Sequence, residues 1–286
     1  MEFISFFKYI NNFQFLYVCD KTNYMKNKTK AFTRLLIIMD ELREQCPWDK
    51  KQTLESLRYL TIEEMYELSD AILDNDLEEI KKELGDLMLH IVFYARIASE
   101  TNDFDIADVI NSVCDKLVHR HPHIYGDVKV KDEVEVKKNW EKLKMKEGKK
   151  SVLEGVPKSL PAIVKSFRIQ EKVRGIGFDW DNKTQVWDKV LEELEELKVE
   201  VEKGDKNRIE SEFGDLLFSL TNYSRFIDVN PEDALERTNK RFIKRFQIME
   251  KLIKKENISL DQMNLEQMDV YWNQAKEIYS LEKEID

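Results

Sequence analysis

The sequence is poor in the residues that punctuate a chain. Eight glycines and five prolines are spread over 286 residues, while charged residues make up 36%. That excludes a many-turned β protein and fits long helices with solvated faces. Three cysteines, Cys19, Cys46 and Cys114, are odd in number and widely spaced, so there is neither a disulfide framework nor a zinc pattern. None of His90, His119, His121 and His123 has a glutamate three residues before it, which excludes the Glu-x-x-His pairs of a helical di-iron centre. There is no G-x-x-x-x-G-K-[ST] loop, so a P-loop enzyme is excluded, and the Gly175-x-Gly177 pair is too weak to count. Basic residues are outnumbered, with a net charge of -10, which argues against a nucleic-acid polymer or a membrane surface as partner. An acidic chain can still bind a phosphate ligand through a bridging metal. No stretch reaches the roughly 18 apolar residues of a membrane span. No basic, apolar and small-residue leader is present either, so a cytoplasmic location is expected.

What is present is helical periodicity. Residues 1–30 form an N-terminal extension, aromatic at Phe3, Phe6, Phe7, Tyr9, Phe13, Phe15 and Tyr17, and translation is expected to begin at Met25. Residues 31–147 form a first module, 148–161 a linker marked by Gly148, Gly155, Pro157 and Pro161, and 162–286 a second module. In the clearest helix, Leu84, Leu87, Met88, Ile91, Val92 and Ala95 are spaced as one continuous buried face. Asp228 or Asn230 caps a later helix with Pro231 in its first turn.

The modules repeat each other. Glu192-Glu193-Leu194-Glu195-Glu196, fifteen residues, then Glu212-Phe213-Gly214-Asp215 matches Glu63-Glu64-Met65-Tyr66-Glu67, fifteen residues, then Glu83-Leu84-Gly85-Asp86. A constant offset of 129 relates the two sets, and it also pairs Asp76 with Asp205, Tyr94 with Tyr223 and Arg96 with Arg225. The fold class is therefore all-α, two copies of one helical-bundle module.

Residues three and four apart share a helix face, so Glu193 projects with Glu196, Glu212 with Asp215, Glu64 with Glu67 and Glu83 with Asp86. A short turn makes the two helices antiparallel and brings the pairs together. Four carboxylates repel unless a cation or protons intervene, and oxygen-only ligands favour Mg²⁺ or Mn²⁺. An isolated EExxE is most often a solvated face. Here the acidic set recurs in register while exposed neighbours change, as Asp70 against Val199 or Lys81 against Glu210. Gly85 and Gly214 also recur inside an apolar helical run, at a cost of ~1 kcal/mol each relative to alanine, which suggests close approach of another helix or a ligand. Thr61-Ile62-Glu63-Glu64 has the form of a capping box, but Val190 stands at the equivalent position, so capping does not explain the glutamates.

The E-x-x-E and E-x-x-D pairs resemble those of the all-α nucleoside triphosphate pyrophosphohydrolases, and the tandem arrangement is similar to MazG proteins. The resemblance covers about residues 31–280, with Cys46-Pro47-Trp48-Asp49, His119-Arg120-His121-Pro122-His123, Gly177-Phe178 and the run Asn239 to Phe246 among its markers. It implies homodimeric helical bundles, Mg²⁺, and hydrolysis of ribo- or deoxynucleoside triphosphates to the monophosphate and pyrophosphate, in nucleotide-pool housekeeping. By carry-over it implies Glu193, Glu196, Glu212 and Asp215 as catalytic metal ligands; the matching Glu64, Glu67, Glu83 and Asp86 of the first module are a second candidate metal site. Lys240 with Lys244, and Arg241 with Arg245, offer a polyphosphate grip; Lys189 and Glu192 adjoin the ligands, and Trp272 with Lys276 can receive a base. From spacing alone, the basic run reads equally well as a solvated face and Trp272 as a core aromatic. The first module's matching stretch, Asp115 to Pro122, has fewer permanent cations and a helix break, so the second module is the expected active one. The reading from another class is a non-catalytic helical protein that binds nucleotide and metal as a signal.

Overall fold

The computed structural model describes residues 25–133, 135–136, 139–140, 143 and 151–285. Residues 1–24 and Gly148 lie outside the described residues. Among the described residues the regular structure is helical, and the chain divides into two compact units, Met1–Asp127 and Val128–Asp286.

In the first unit, helix α1 (25–45) stops at Cys46, and a 3₁₀ turn, Asp49–Lys51, leads to α2 (Leu54–Asp74), α3 (Leu77–Ser99), α4 (Ile106–Arg120) and the short α5 (Pro122–Tyr125). The ends follow local chemistry. Thr53 and Ser56 form the capping box of α2, whereas Thr61 sits inside the helix, donating to the Leu57 carbonyl and bonding Tyr94 at 2.7 Å. Asn75 ends α2 in the left-handed conformation (φ 57°). Asp76 then accepts from the Glu78 and Glu79 amides to start α3. That two-residue turn folds α2 and α3 into an antiparallel hairpin, and Met39, Leu57, Val92 and Phe93 make the core between α1, α2 and α3. Each such burial contributes about 1.5–3 kcal/mol. Arg43 ties the Cys46–Gln52 loop down: its guanidinium donates to Glu100 (2.8 and 2.9 Å) and to the Asp49 and Gln52 carbonyls.

The second unit contains α6 (Ala162–Arg174), α7 (Lys183–Lys203), α8 (Lys206–Phe226), α9 (Pro231–Lys255) and α10 (Leu265–Ile285). The hairpin repeats: Gly204 closes α7 at φ 76° and Asp205 caps α8. Asn230, not Asp228, caps α9, with Pro231 in its first turn. Met249, Ile253 and Ala275 form a core where α9 packs on α10. A buried polar contact joins α6 to α8. Gln170 donates to the Phe218 carbonyl at 2.8 Å, and the buried Lys172 ammonium donates to the Val152 and Glu154 carbonyls, fixing that strap on α6.

One expectation is corrected. The apolar run on α3 is not one buried face: Val92 and Ala95 are buried, but Leu84, Met88 and Ile91 are exposed. Phe213, Leu217 and Leu220 on α8 are exposed in the same way. Helical periodicity places these side chains on related faces; within its unit each hairpin leaves this part of the stripe uncovered.

Candidate metal centre

The hairpins bring the acidic residues together. In the first module Glu64 on α2 and Glu83 and Asp86 on α3 offer oxygens all within 4.8 Å of one another; in the second, Glu193 and Glu196 on α7 and Glu212 on α8 do the same. Glu67 and Asp215 stand outside these groups of three. Their charges still reach them: Glu67 helps raise Glu64, and Asp215 helps raise Glu212.

The electrostatics are those of a crowded acid site. Burial, a hydrogen bond to Glu83, and the charges of Asp86, Glu67 and Glu83 push the Glu64 carboxyl up to about 7. Glu212 is raised by burial and then by Glu196, Asp215, Glu193 and Glu200. Glu83 moves the other way, held down first by Lys82, whose ammonium lies 2.9 Å from its Oε1. The other Glu83 oxygen is buried with no hydrogen-bond partner, a state that costs at least ~1–3 kcal/mol for an isolated group. Converging carboxylates with an orphaned buried oxygen fit a hard divalent cation, which would satisfy that oxygen and relieve the repulsion.

In each module a lysine lies against the clustered glutamates, but from a different place. Lys82 comes from α3 in the first; Lys189 comes from α7 in the second, 2.7 Å from Glu193 and 2.9 Å from Glu192. Ser211 and Leu60 occupy the reciprocal positions. The remaining expected substrate residues lie on α9 and α10, which pack chiefly on each other and, for α9, on α6. Arg241 and Lys244 are exposed, while Lys240 and Arg245 are half-buried. The Arg245 guanidinium lies over the Tyr279 ring at 5.1 Å. Trp272 meets Phe242 with ring centroids 5.1 Å apart and borders the α9–α10 core; Lys276 is half-buried one turn on. The basic residues thus share the second unit with the acidic group but stand on different helices. Gly85 and Gly214 face open space, with no atom of the described residues within 4 Å of where a Cβ would stand, so among the described residues nothing makes the expected close approach.

Residues missed from sequence include Lys82, the polar pair Gln170 and Lys172, and Glu200, which is buried one turn beyond Glu196. Comparing the two repeats position by position would have flagged Glu200, because its counterpart is Ala71.

Fold and site together define a tandem all-α protein with one clustered-carboxylate centre in each module. The chain matches the MazG nucleotide pyrophosphohydrolase domain twice, over residues 52–125 and 182–256, and it belongs to that family. It is 44% identical over 257 residues to the Nucleoside triphosphate pyrophosphohydrolase/pyrophosphatase MazG of Thermotoga maritima, covering 88% of this chain and 98% of the relative. It is 38% identical over 252 residues to the Nucleoside triphosphate pyrophosphohydrolase of Escherichia coli, covering 85% of this chain and 96% of the relative.

Proposed function

We propose that this chain hydrolyses nucleoside triphosphates to the monophosphate and pyrophosphate in nucleotide-pool housekeeping, with Mg²⁺ or Mn²⁺, at the second module. The observation that carries the reading is the convergence of Glu193, Glu196 and Glu212 from two adjoining helices, in a chain of the MazG family. These three, with Asp215 beside Glu212, hold the cation. A bound divalent cation supplies a Lewis acid that activates water and neutralises charge on the departing pyrophosphate.

The chain's own residues do the rest. Glu193 or a neighbouring carboxylate takes the proton of the attacking water. Lys189, fixed against Glu192 and Glu193, adds a positive charge at the edge of the acidic group. Lys240, Arg241, Lys244 and Arg245 grip polyphosphate oxygens through charge-assisted hydrogen bonds, and Trp272 with Lys276 receives the base. The first module binds metal through Glu64, Glu67, Glu83 and Asp86 but turns over triphosphate weakly, because its matching segment ends at the His121–Pro122 break.

Two copies of the chain assemble as a dimer. The exposed stripes Leu84–Met88–Ile91 and Phe213–Leu217–Leu220 support this, since apolar faces of that kind mark interaction surfaces. The proposed location is the cytoplasm; among the described residues no helix is long and apolar enough to cross a membrane.

Incubation with each nucleoside triphosphate and Mg²⁺, with products resolved by chromatography, tests the reaction. Monophosphate and pyrophosphate are expected. Diphosphate and orthophosphate would refute the reaction type, and no turnover would leave a nucleotide-binding protein.

A further inference from the structure

The second module has a fifth carboxylate that the acidic pattern did not include. Glu200 follows Glu196 by four residues on α7, so the two share a face of the helix. It is 7% exposed. One oxygen accepts from the Lys203 ammonium at 2.7 Å; the other, Oε2, is buried and has no hydrogen-bond partner. Its charge reaches across the hairpin to Glu212, where it adds to those of Glu196, Asp215 and Glu193.

The bland explanation is an i, i+3 ion pair with Lys203. That accounts for one oxygen only, and such a pair with a half-exposed lysine contributes little. It does not account for a second oxygen buried unpaired, which costs a charged group more than a neutral one. The first module is the control supplied by the repeat itself. Its position 129 residues earlier is Ala71, buried at 5% exposure, although Glu64, Glu67, Glu83 and Asp86 all match acidic residues of the second module. The same hairpin therefore folds without this carboxylate, and the second module retains it at an energetic cost.

We propose that Glu200 is an outer carboxylate of the second module's cation site. Its free oxygen accepts a hydrogen bond from the hydration shell of a divalent cation held by Glu193, Glu196 and Glu212, and its charge tightens binding there. This rests on the metal-centre reading above, but not on any hydrolytic activity. Glu200 acts through the ligands and the hydrated ion, so it is a positioning residue.

The test is Mn²⁺ binding to the full chain, read from the electron paramagnetic resonance signal of free Mn²⁺. A Glu64→Gln, Asp86→Asn background removes the first module's contribution. In that background Glu200→Ala is expected to weaken Mn²⁺ binding about tenfold, the scale typical of outer partners of metal ligands. Glu200→Gln loses less, because its amide oxygen still accepts. Lys203→Ala leaves affinity within twofold, since the oxygen concerned is the one Lys203 does not touch. Circular dichroism and melting in EDTA check that each variant is folded, and Glu200→Ala is expected to melt no lower than its parent there. Affinity of Glu200→Ala within twofold of the parent would overturn the proposal. So would a loss of equal size in Lys203→Ala, or a lower metal-free melt that accounts for the weaker binding. Absence of Mn²⁺ binding by the unmodified chain would overturn the metal-centre reading itself, an outcome distinct from these.

Discussion

Gly214→Ala separates the cost of a glycine from its use. Gly214 lies inside α8, between exposed Phe213 and the acidic Asp215, and an added Cβ would meet nothing within 4 Å. Alanine in a helix interior is favoured over glycine by ~1 kcal/mol. For a unit of this size that is a rise in melting temperature of about 2–4 °C. If the space beside Gly214 is where a triphosphate lies against α8, the added methyl group intrudes only when substrate is bound. The expected result, with unfolding followed in EDTA, is a gain of ~1 kcal/mol in stability. With Mg²⁺ and a deoxynucleoside triphosphate, the same variant should lose about tenfold in kcat/KM, equivalent to ~1.4 kcal/mol in the barrier. Gly85→Ala is the internal control: a similar open space, the same stability gain, and turnover within twofold of the unmodified chain. A Gly214→Ala protein that is both stabilised and fully active would show that the glycine reserves space for nothing.

Three further outcomes follow from the geometry. Because Glu64 holds its proton up to about pH 7, a cation entering the first module must displace that proton. Apparent Mn²⁺ affinity there should rise with pH to about 7 and then level, and Glu64→Gln should remove the dependence; a flat profile of the unmodified chain between pH 6 and 8 would contradict it. Leu217→Glu, which places a charge in the exposed stripe of α8, should convert the proposed dimer to monomer by sedimentation; a monomeric unmodified chain would contradict that proposal. Arg43→Ala removes charge-assisted hydrogen bonds to Glu100 and to the Gln52 carbonyl, so it should lower the stability of the first unit by ~2 kcal/mol in urea unfolding while turnover stays within twofold. Unchanged unfolding would show that the loop is held by something else.

The hairpins were legible because their signals are local. Asn75 and Gly204 take positive φ and Asp76 and Asp205 cap the next helix, so composition, turn and register all pointed to the same two-helix unit. Which carboxylates meet was less legible. Spacing puts Glu64 and Glu67 on one face, and likewise Glu212 and Asp215, but the lateral position of each helix decides which pair leads, and the groups of three omit Glu67 and Asp215. The apolar stripe shows the limit of periodicity: it identifies residues that share a face, while the cover over Leu84 or Phe213 is a matter of what packs on it. Lys172 was illegible for a related reason. Its partners are the backbone carbonyls of Val152 and Glu154, which any residue type supplies. Near this strap Gly155, Pro157 and Pro161 mark a change of composition, whereas packing parts the chain at Asp127 and Val128.

Turnover is proposed to belong to the second acidic group. Glu193→Ala removes a buried member of the 4.8 Å group on α7, and Glu64→Ala removes its counterpart on α2. Release of pyrophosphate with Mg²⁺ and saturating triphosphate, measured for the two variants side by side, distinguishes the two groups. Glu193→Ala is expected to be inactive and Glu64→Ala to keep most of the rate. The opposite ranking would contradict it and move the active site to the first module.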